Sequence, residues 1–184
     1  MEGLLLRPRA GWVTAPWPRA RALTTRRLVL EPLHSDHARE LAPVLDDVAL
    51  HAFIGGAPAS ETELRARFTR QAAGQSPDGT QGWLNWVARD GATQAPVGTV
   101  QATISDGDDG RSAELAWVIA TSRQGEGLAT EAAGAVMDWL RGCGVARFVA
   151  HIHPEHHASA AVARHLGLAA TDVRHEGEVR WVGS

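Results

Sequence analysis

The feature that most constrains the fold is the stretch WVIATSRQGEGLATEAAGAVMDWL, which covers residues 117–140. It begins as an apolar strand, turns, crosses Gly125 and Gly127, and continues with apolar residues at helical spacing. Glycines permit a positive φ and let a ligand approach the main chain closely. The helix that follows presents unpaired N–H groups and a partial positive charge at its N-terminus. This strand–turn–helix unit therefore predicts a site for an anion such as a phosphate.

The elements around this unit predict a mixed sheet. Three strands joined by tight turns are expected at residues 83–90, 97–105 and 112–120. A first strand and two helices precede them: the strand at residues 26–33, a helix from Ser35 or Asp36 with a kink or second start at Pro43, and a helix from the capping box of Ser60 and Glu63. After the helix that runs to about Leu140, a strand at 147–152, a helix at 156–167 and two short strands follow. We therefore expect an α+β fold in which an antiparallel meander and a βαβ crossover share one sheet, flanked by about four helices.

Length and charge predict one domain and exclude several functions. The chain of 184 residues fits a single domain, which we place at residues 24–184. A net charge of −3 gives no reason to expect nucleic acid as a partner. Apolar runs are too short for a membrane span, and three consecutive leucines at residues 4–6 are too few for a signal peptide. We expect a cytoplasmic protein with no membrane partner.

Two local features are interpreted as structural. Residues 1–23 form a basic N-terminal arm that is expected to be poorly ordered; the alternative is an arm that binds a partner or a second copy through Trp12 and Trp17. The single Cys143 excludes an intrachain disulfide. Because it lies in the turn between a helix and a strand, we interpret Cys143 as inert packing and not as a nucleophile.

Residues 124–129 match the pattern Gln/Arg-x-x-Gly-x-Gly/Ala, and no Gly-Lys-Ser/Thr of a Walker A loop follows. This stretch resembles the pyrophosphate loop of the GNAT superfamily of acetyl-CoA-dependent N-acetyltransferases. Downstream, HIHPEHHASAAVARHLGLAATD resembles the second signature of that family, and TTRRLVLEPLHSDHAREL resembles its opening strand and helix. The resemblance covers about residues 24–182. It is closest to the branch of the ribosomal-protein N-terminal (RimJ/RimL-like) acetyltransferases.

The resemblance implies acetyl-CoA as co-substrate and assigns residues to its binding. Backbone groups of Trp117, Val118 and Ile119 are expected to pair with the pantetheine arm, which lies in a gap of the sheet. The pyrophosphate would bind the amides of the loop, with Thr130 behind it and Arg123 offsetting the Glu126 carboxylate. The loop residues concerned are Gln124, Gly125, Glu126, Gly127, Leu128 and Ala129. His156 stands where relatives usually carry Asn, so it would bond the pantetheine or cap the following helix.

The same resemblance implies direct transfer of the acetyl group to a primary amine within a ternary complex. Glu114 is the expected general base, with His51 and His34 as weaker candidates, and Ser159 is expected near the CoA sulfur. The chain contains no tyrosine, so the tyrosine that protonates the thiolate in many relatives is excluded. An N–H group of Val118 or Ile119 would stabilise the oxyanion. The acceptor can be a protein N-terminus or a small-molecule amine.

Several alternatives are left open by the sequence. A non-catalytic module that binds or senses acyl-CoA would keep the same loop. His151 and His153 have ligand-like spacing on one strand face, but Glu155 is the only acid nearby, so no metal is expected. Trp83 and Trp86 are predicted on opposite strand faces, and the loops at residues 51–58 and 74–82 are expected near the acceptor. A homodimer is possible.

Overall fold

A computed structural model describes residues 17–54 and 56–184. Within them, eight strands form one sheet in the order β1-β2-β3-β4-β5-β6-β8-β7. The strands are β1 (Leu23–Thr24), β2 (Leu28–Pro32), β3 (Gln81–Asp90), β4 (Pro96–Gly107), β5 (Gly110–Ile119), β6 (Arg147–Ile152), β7 (Ala169–His175) and β8 (Glu178–Gly183). The pair β5–β6 is parallel, whereas the other neighbours are antiparallel. The predicted α+β class with a meander and a crossover is confirmed.

Five α-helices flank the sheet in the described residues. They are α1 (Ala38–Leu45), α2 (Val48–Ile54), α3 (Glu61–Gln71), α4 (Leu128–Gly142) and α5 (His157–His165). The count exceeds the expected four because the helix predicted after Ser35 is divided. A second helix, α2, begins after Asp47, whose side chain accepts a hydrogen bond from the Ala49 N–H at 2.9 Å. None of the described helices is long and apolar enough to cross a bilayer.

The sheet opens between the meander and the crossover. Pairing between β5 and β6 involves only Ser112–Glu114 and Arg147–Val149. Beyond these residues β5 continues to Ile119 and β6 to Ile152, and no pairing between the two strands is recorded there. The last five residues of β5 therefore have no main-chain hydrogen-bond partner on β6, which agrees with the gap in the sheet expected from the sequence.

Each face of the sheet has its own core. The larger cluster lies under α4 and includes Trp86, Phe148, Val136 and Leu140. The smaller cluster packs α1 and α3 on the other face through Leu41, Leu64, Phe68 and Val87. Strand alternation explains the division, since neighbouring residues of β3 face opposite sides.

The two tryptophans of β3 follow this alternation, as predicted. Trp86 is fully buried and meets the Trp139 ring edge-on, with ring centroids 5.7 Å apart. Trp83 is partly exposed and lies beside Arg19 and Ala20 in a shallow cavity.

The segment before β1 packs against the sheet. Residues 1–16, including Trp12, lie outside the described residues. The Trp17 indole donates a hydrogen bond to the Gly79 carbonyl at 3.0 Å, and the Trp86 indole donates one to the Arg21 carbonyl at 2.8 Å. Ala20 and Leu23 pack on the larger core. Residues of the predicted arm from Trp17 onward therefore contact the sheet.

Candidate active site

The loop between β5 and α4 has the backbone that its glycines predict. Gly125 and Gly127 both have φ of 78°, and α4 begins directly after Gly127. The Gln124 side chain donates to the Ile119 carbonyl at 3.0 Å and so ties the loop to the end of β5. Gly127 offers no side chain to cap the helix, so the first amides of α4 are available to an anion.

Ion pairs around this loop neutralise its charged side chains. The Arg123 guanidinium contacts Glu126 at 2.9 Å and Asp90 at 3.1 Å. Hydrogen bonds from the backbone of Thr93 and Ala92 and from Arg123 lower the pKa of Asp90 to about 2, and the Arg123 hydrogen bond lowers the pKa of Glu126. Arg123 thus pairs with Glu126 and is shared with a second carboxylate, Asp90.

A second contact joins the loop to the start of the chain. The Arg27 guanidinium donates to the Glu126 carbonyl at 2.8 Å and to the Glu131 carboxylate at 2.7 Å. Thr25 also donates to Glu131 at 2.6 Å. These bonds fix the first turn of α4 to the β1–β2 turn, which the sequence did not reveal because the partners are about 100 residues apart.

The opening in the sheet contains a groove of about 640 Å³. The ends of β5 and α5, the glycine loop and α2 form its walls. The candidate residues that line it are Trp117, Val118, Ile119, Arg123, Gln124, Gly125, Gly127, Leu128, Ala129, Thr130, His156 and Ser159. Glu126 is the one residue of the expected cofactor set outside this lining, because its side chain turns to Arg123.

His156 stacks on Phe53 across the groove. The ring centroids lie 4.3 Å apart with an interplanar angle of 18°. The His156 side chain makes no cap hydrogen bond to α5, so the capping role that the sequence allowed is not used. Burial, followed by the nearby His153 and His157, lowers the pKa of His156. Sequence analysis missed Phe53, since nothing in the local pattern of α2 points across the sheet opening.

A second cavity of about 160 Å³ lies between α3 and the opposite face of the sheet. Its polar lining is His51, Arg67, Gln71, Asn85, Thr99 and Gln101. It shares Leu50 and Val118 with the groove, so the two spaces meet at these residues. Residues 51–54 of the segment expected as a loop belong to α2, from which His51 lines this cavity, whereas none of the residues 74–82 does.

Glu114 and His34 lie outside both cavities. Glu114 is exposed on β5 and contacts the His151 ring at 3.2 Å. It lies four residues before Val118, which corresponds to about 13 Å along a strand. Its pairing partner on β4 is Thr103, which accepts a hydrogen bond from the cavity residue Gln101 at 3.4 Å. A row of polar residues therefore connects Glu114 to the second cavity.

The described residues that could together hold a metal are Glu31, His34 and His37, not the histidines of β6. The His34 backbone N–H donates to Nδ1 of His37 at 3.1 Å. Neutral His37 therefore carries its proton on Nε2, the atom that faces Glu31 at 3.4 Å. Arg89 already bonds both Glu31 and Glu40. This geometry is a satisfied polar cluster and opposes metal ligation by His37.

A glycine loop at the start of a helix and a groove in a split sheet are features that an acyltransferase dependent on coenzyme A would require. Residues 27–169 match the family model described as "Acetyltransferase (GNAT) domain". The chain belongs to the GNAT acetyltransferase family and is by class an acetyl-CoA-dependent N-acetyltransferase, as the sequence predicted. No curated protein matches the chain by sequence.

Solved structures share this fold at low sequence identity. A GNAT acetyltransferase from Bacillus anthracis has a TM-score of 0.70 at 16% identity, covering 88% of this chain and 96% of its own. A protein from Vibrio cholerae, provisionally named a ribosomal-protein-serine acetyltransferase, has a TM-score of 0.68 at 19% identity, covering 89% and 97%. AAC(6')-Ib in complex with ribostamycin and coenzyme A has a TM-score of 0.70 at 16% identity, covering 85% and 93%. These identities establish the fold alone.

Proposed function

We propose that the protein transfers the acetyl group of acetyl-CoA to a primary amine by direct attack within a ternary complex. The observation that carries this proposal is the junction of the two cavities at Leu50 and Val118. A thioester that enters along the groove and an amine that enters from the second cavity would meet there. AAC(6')-Ib, which shares the fold, was solved in complex with both ribostamycin and coenzyme A, and this supports a ternary complex of cofactor and amine.

In this proposal the cofactor is held mainly by main-chain groups. The diphosphate binds the amides of residues 124–129, and Thr130 supports the first turn of α4 behind it. The pantetheine arm pairs with the free edge of β5 at residues 117–119, as an added strand would. His156 faces the arm with its ring, and its low pKa keeps it neutral near pH 7.

The reaction requires a deprotonated amine, a stabilised oxyanion and a leaving thiolate. An N–H group of Val118 or Ile119 stabilises the oxyanion as the tetrahedral intermediate forms. The Ser159 hydroxyl, in the first turn of α5 and in the groove lining, is proposed as the hydrogen-bond donor to the thiolate. The amine proton leaves before or during attack, so a base must lie within reach of the acceptor side.

Glu114 remains the proposed base, with the proton reaching it through water along the Gln101–Thr103 row. His51 competes for the role because it lines the acceptor cavity. Its Nε2 lies 3.3 Å from the Leu45 carbonyl, so the neutral tautomer that donates there has its lone pair on Nδ1.

The test of the overall function is thiol release from acetyl-CoA in the presence of a panel of amines, together with calorimetry of CoA binding. Turnover with at least one amine is expected. CoA binding with no acetylation of any amine would favour the alternative, a module that binds or senses acyl-CoA. Absence of CoA binding at millimolar concentration would contradict both.

The test of the base compares Glu114→Gln with His51→Gln. Loss of the acting base should lower kcat about 10²- to 10⁴-fold and leave CoA affinity largely unchanged. If Glu114→Gln retains full turnover over a pH profile, its assignment as base is wrong. If His51→Gln retains it, His51 is excluded in the same way.

A further inference from the structure

One cation in the second cavity, Arg67, has no acidic partner among the residues that the structure describes. Arg67 lies on α3 at the spacing of Leu64, Phe68 and Gln71, which places it on the helix face turned to the sheet. On that stripe Leu64 and Phe68 are buried, whereas Gln71 is polar. Arg67 stands between these two buried residues, is itself exposed and lines the cavity, so its charge lies at the cavity wall.

No hydrogen bond or ion pair is recorded for Arg67 within residues 17–54 and 56–184. Its recorded side-chain interactions are the Phe68 ring, 5.9 Å from the guanidinium carbon, and repulsion from Arg70. By contrast, Arg65 on the same helix contacts both Asp36 and Glu61. Arg67 is exposed to the cavity solvent, yet desolvation lowers its pKa. The exposure and the lowered pKa are compatible, because neighbouring atoms on a concave surface partly desolvate a charged group that solvent still reaches.

The remainder of the cavity suits an anion on a small acceptor. None of the described residues that line it is Asp or Glu. Asn85 is buried, and its amide donates to the Gln71 carbonyl at 3.2 Å. The Gln71 amide in turn donates to Gln101 at 3.2 Å. These bonds hold a polar wall beside Arg67.

A volume of about 160 Å³ is close to that of a cavity that holds benzene, so the enclosed part admits a group of amino-acid size. One guanidinium matches one carboxylate in charge and in its two-point geometry. A phosphate dianion would call for further cations, and the described lining offers no second arginine.

We propose that the acceptor is a small amine that carries a carboxylate, bound by Arg67 at one end of the cavity with its amine directed to the junction at Leu50 and Val118. This inference rests on the proposed function and names its substrate class. An unpaired arginine would repel a polycationic acceptor, so the proposal excludes that class of substrate.

The test uses pairs of amines that differ only in the carboxylate, namely free amino acids and their carboxamides, with thiol release as readout. The carboxylate member should have the higher kcat/KM by about tenfold or more, mainly through KM. Arg67→Gln should remove about 10- to 100-fold of that preference, and Arg70→Gln, which makes the same charge change outside the cavity, should preserve it. Equal rates for both members, or an Arg67→Gln enzyme with the full preference, would overturn the inference.

Two further measurements complete the test. Amidated dipeptides with an acidic first or second residue distinguish a side-chain carboxylate from a free α-carboxylate as the source of the charge. If no amine is acetylated, the proposed function fails, but calorimetry of the amino acids on the CoA-bound protein still decides the inference. Binding that Arg67→Gln abolishes and Arg70→Gln retains supports it, and absence of binding by the wild type overturns it.

Discussion

In the proposed function, the cofactor groove and the acceptor cavity recognise their ligands with different parts of the chain. The groove depends on the main chain: two glycines of positive φ, the amides that open α4 and the free edge of β5. The acceptor cavity depends on side chains from α2, α3, β3 and β4. Main-chain recognition tolerates changes of side chain, whereas side-chain recognition can change with a single substitution. The difference explains how one fold keeps a common co-substrate and takes diverse acceptors.

The largest effect is expected where the two regions meet. A Cβ on Gly98 would lie 2.0 Å from the Val118 carbonyl oxygen and 3.0 Å from the Ile119 Cα. Gly98→Ala must therefore push β5 away from β4, at a cost of about 1–3 kcal/mol or more. Denaturation should show the lost stability, and turnover should fall as well, since both cavities share Val118. Gly142→Ala, at a site with open space, is the matched control.

A smaller effect is expected in the cofactor loop. Gly127→Ala would hold a non-glycine residue at a left-handed φ, which costs about 1–2 kcal/mol. Relaxation of that strain would misplace the first amides of α4, so CoA affinity should fall by roughly tenfold. Calorimetry with CoA measures it. Affinity equal to that of the wild type would contradict the view that main-chain geometry holds the diphosphate.

Acidification should destabilise the fold through two histidines, one beside the smaller core and one in the groove. Burial lowers the pKa of His37, beside the smaller core, and of His156, in the groove. Because these folded pKa values lie below those of the unfolded chain, the stabilisation is fully present above about pH 6.5. It is lost as pH falls through the folded pKa, since the unfolded chain takes up protons first. Each histidine can contribute at most about 1.4 kcal/mol per pH unit.

Urea denaturation at pH 7.5 and pH 5.5 measures this dependence. His37→Gln and His156→Gln should each reduce the loss of stability between the two values, whatever they do to stability at neutral pH. The explanation fails if the wild type is more stable at the lower pH.

The smallest effect should come from the charged side chains of the loop. Glu126→Gln removes a carboxylate beside the diphosphate and frees Arg123 from one of its two partners. CoA affinity should rise by a few-fold at low salt, and the gain should shrink at high salt because exposed charges are screened. A rise of a hundredfold would show that side-chain charge, and not the main chain, dominates binding there.

Local patterns predicted most of the fold. The capping box of Ser60 and Glu63 forms as expected and starts α3. The meander, the crossover and the opposite orientation of Trp83 and Trp86 follow from strand periodicity and short turns. The division of α1 from α2 was predicted as a kink or second start at Pro43, whereas Pro43 lies within α1 and the break comes at residues 46–47.

By itself, the sequence determined the sheet, its crossover and the glycine loop, because each of these is encoded by neighbours along the chain. Only the tertiary structure decided what lies in the site. Phe53 reaches His156 from a separate helix, Arg67 faces a cavity whose far wall is two strands, and Glu114 falls outside both cavities. These contacts depend on how elements distant in the sequence pack together. Periodicity within one helix or strand shows which of its residues are buried, but not which other element they will contact.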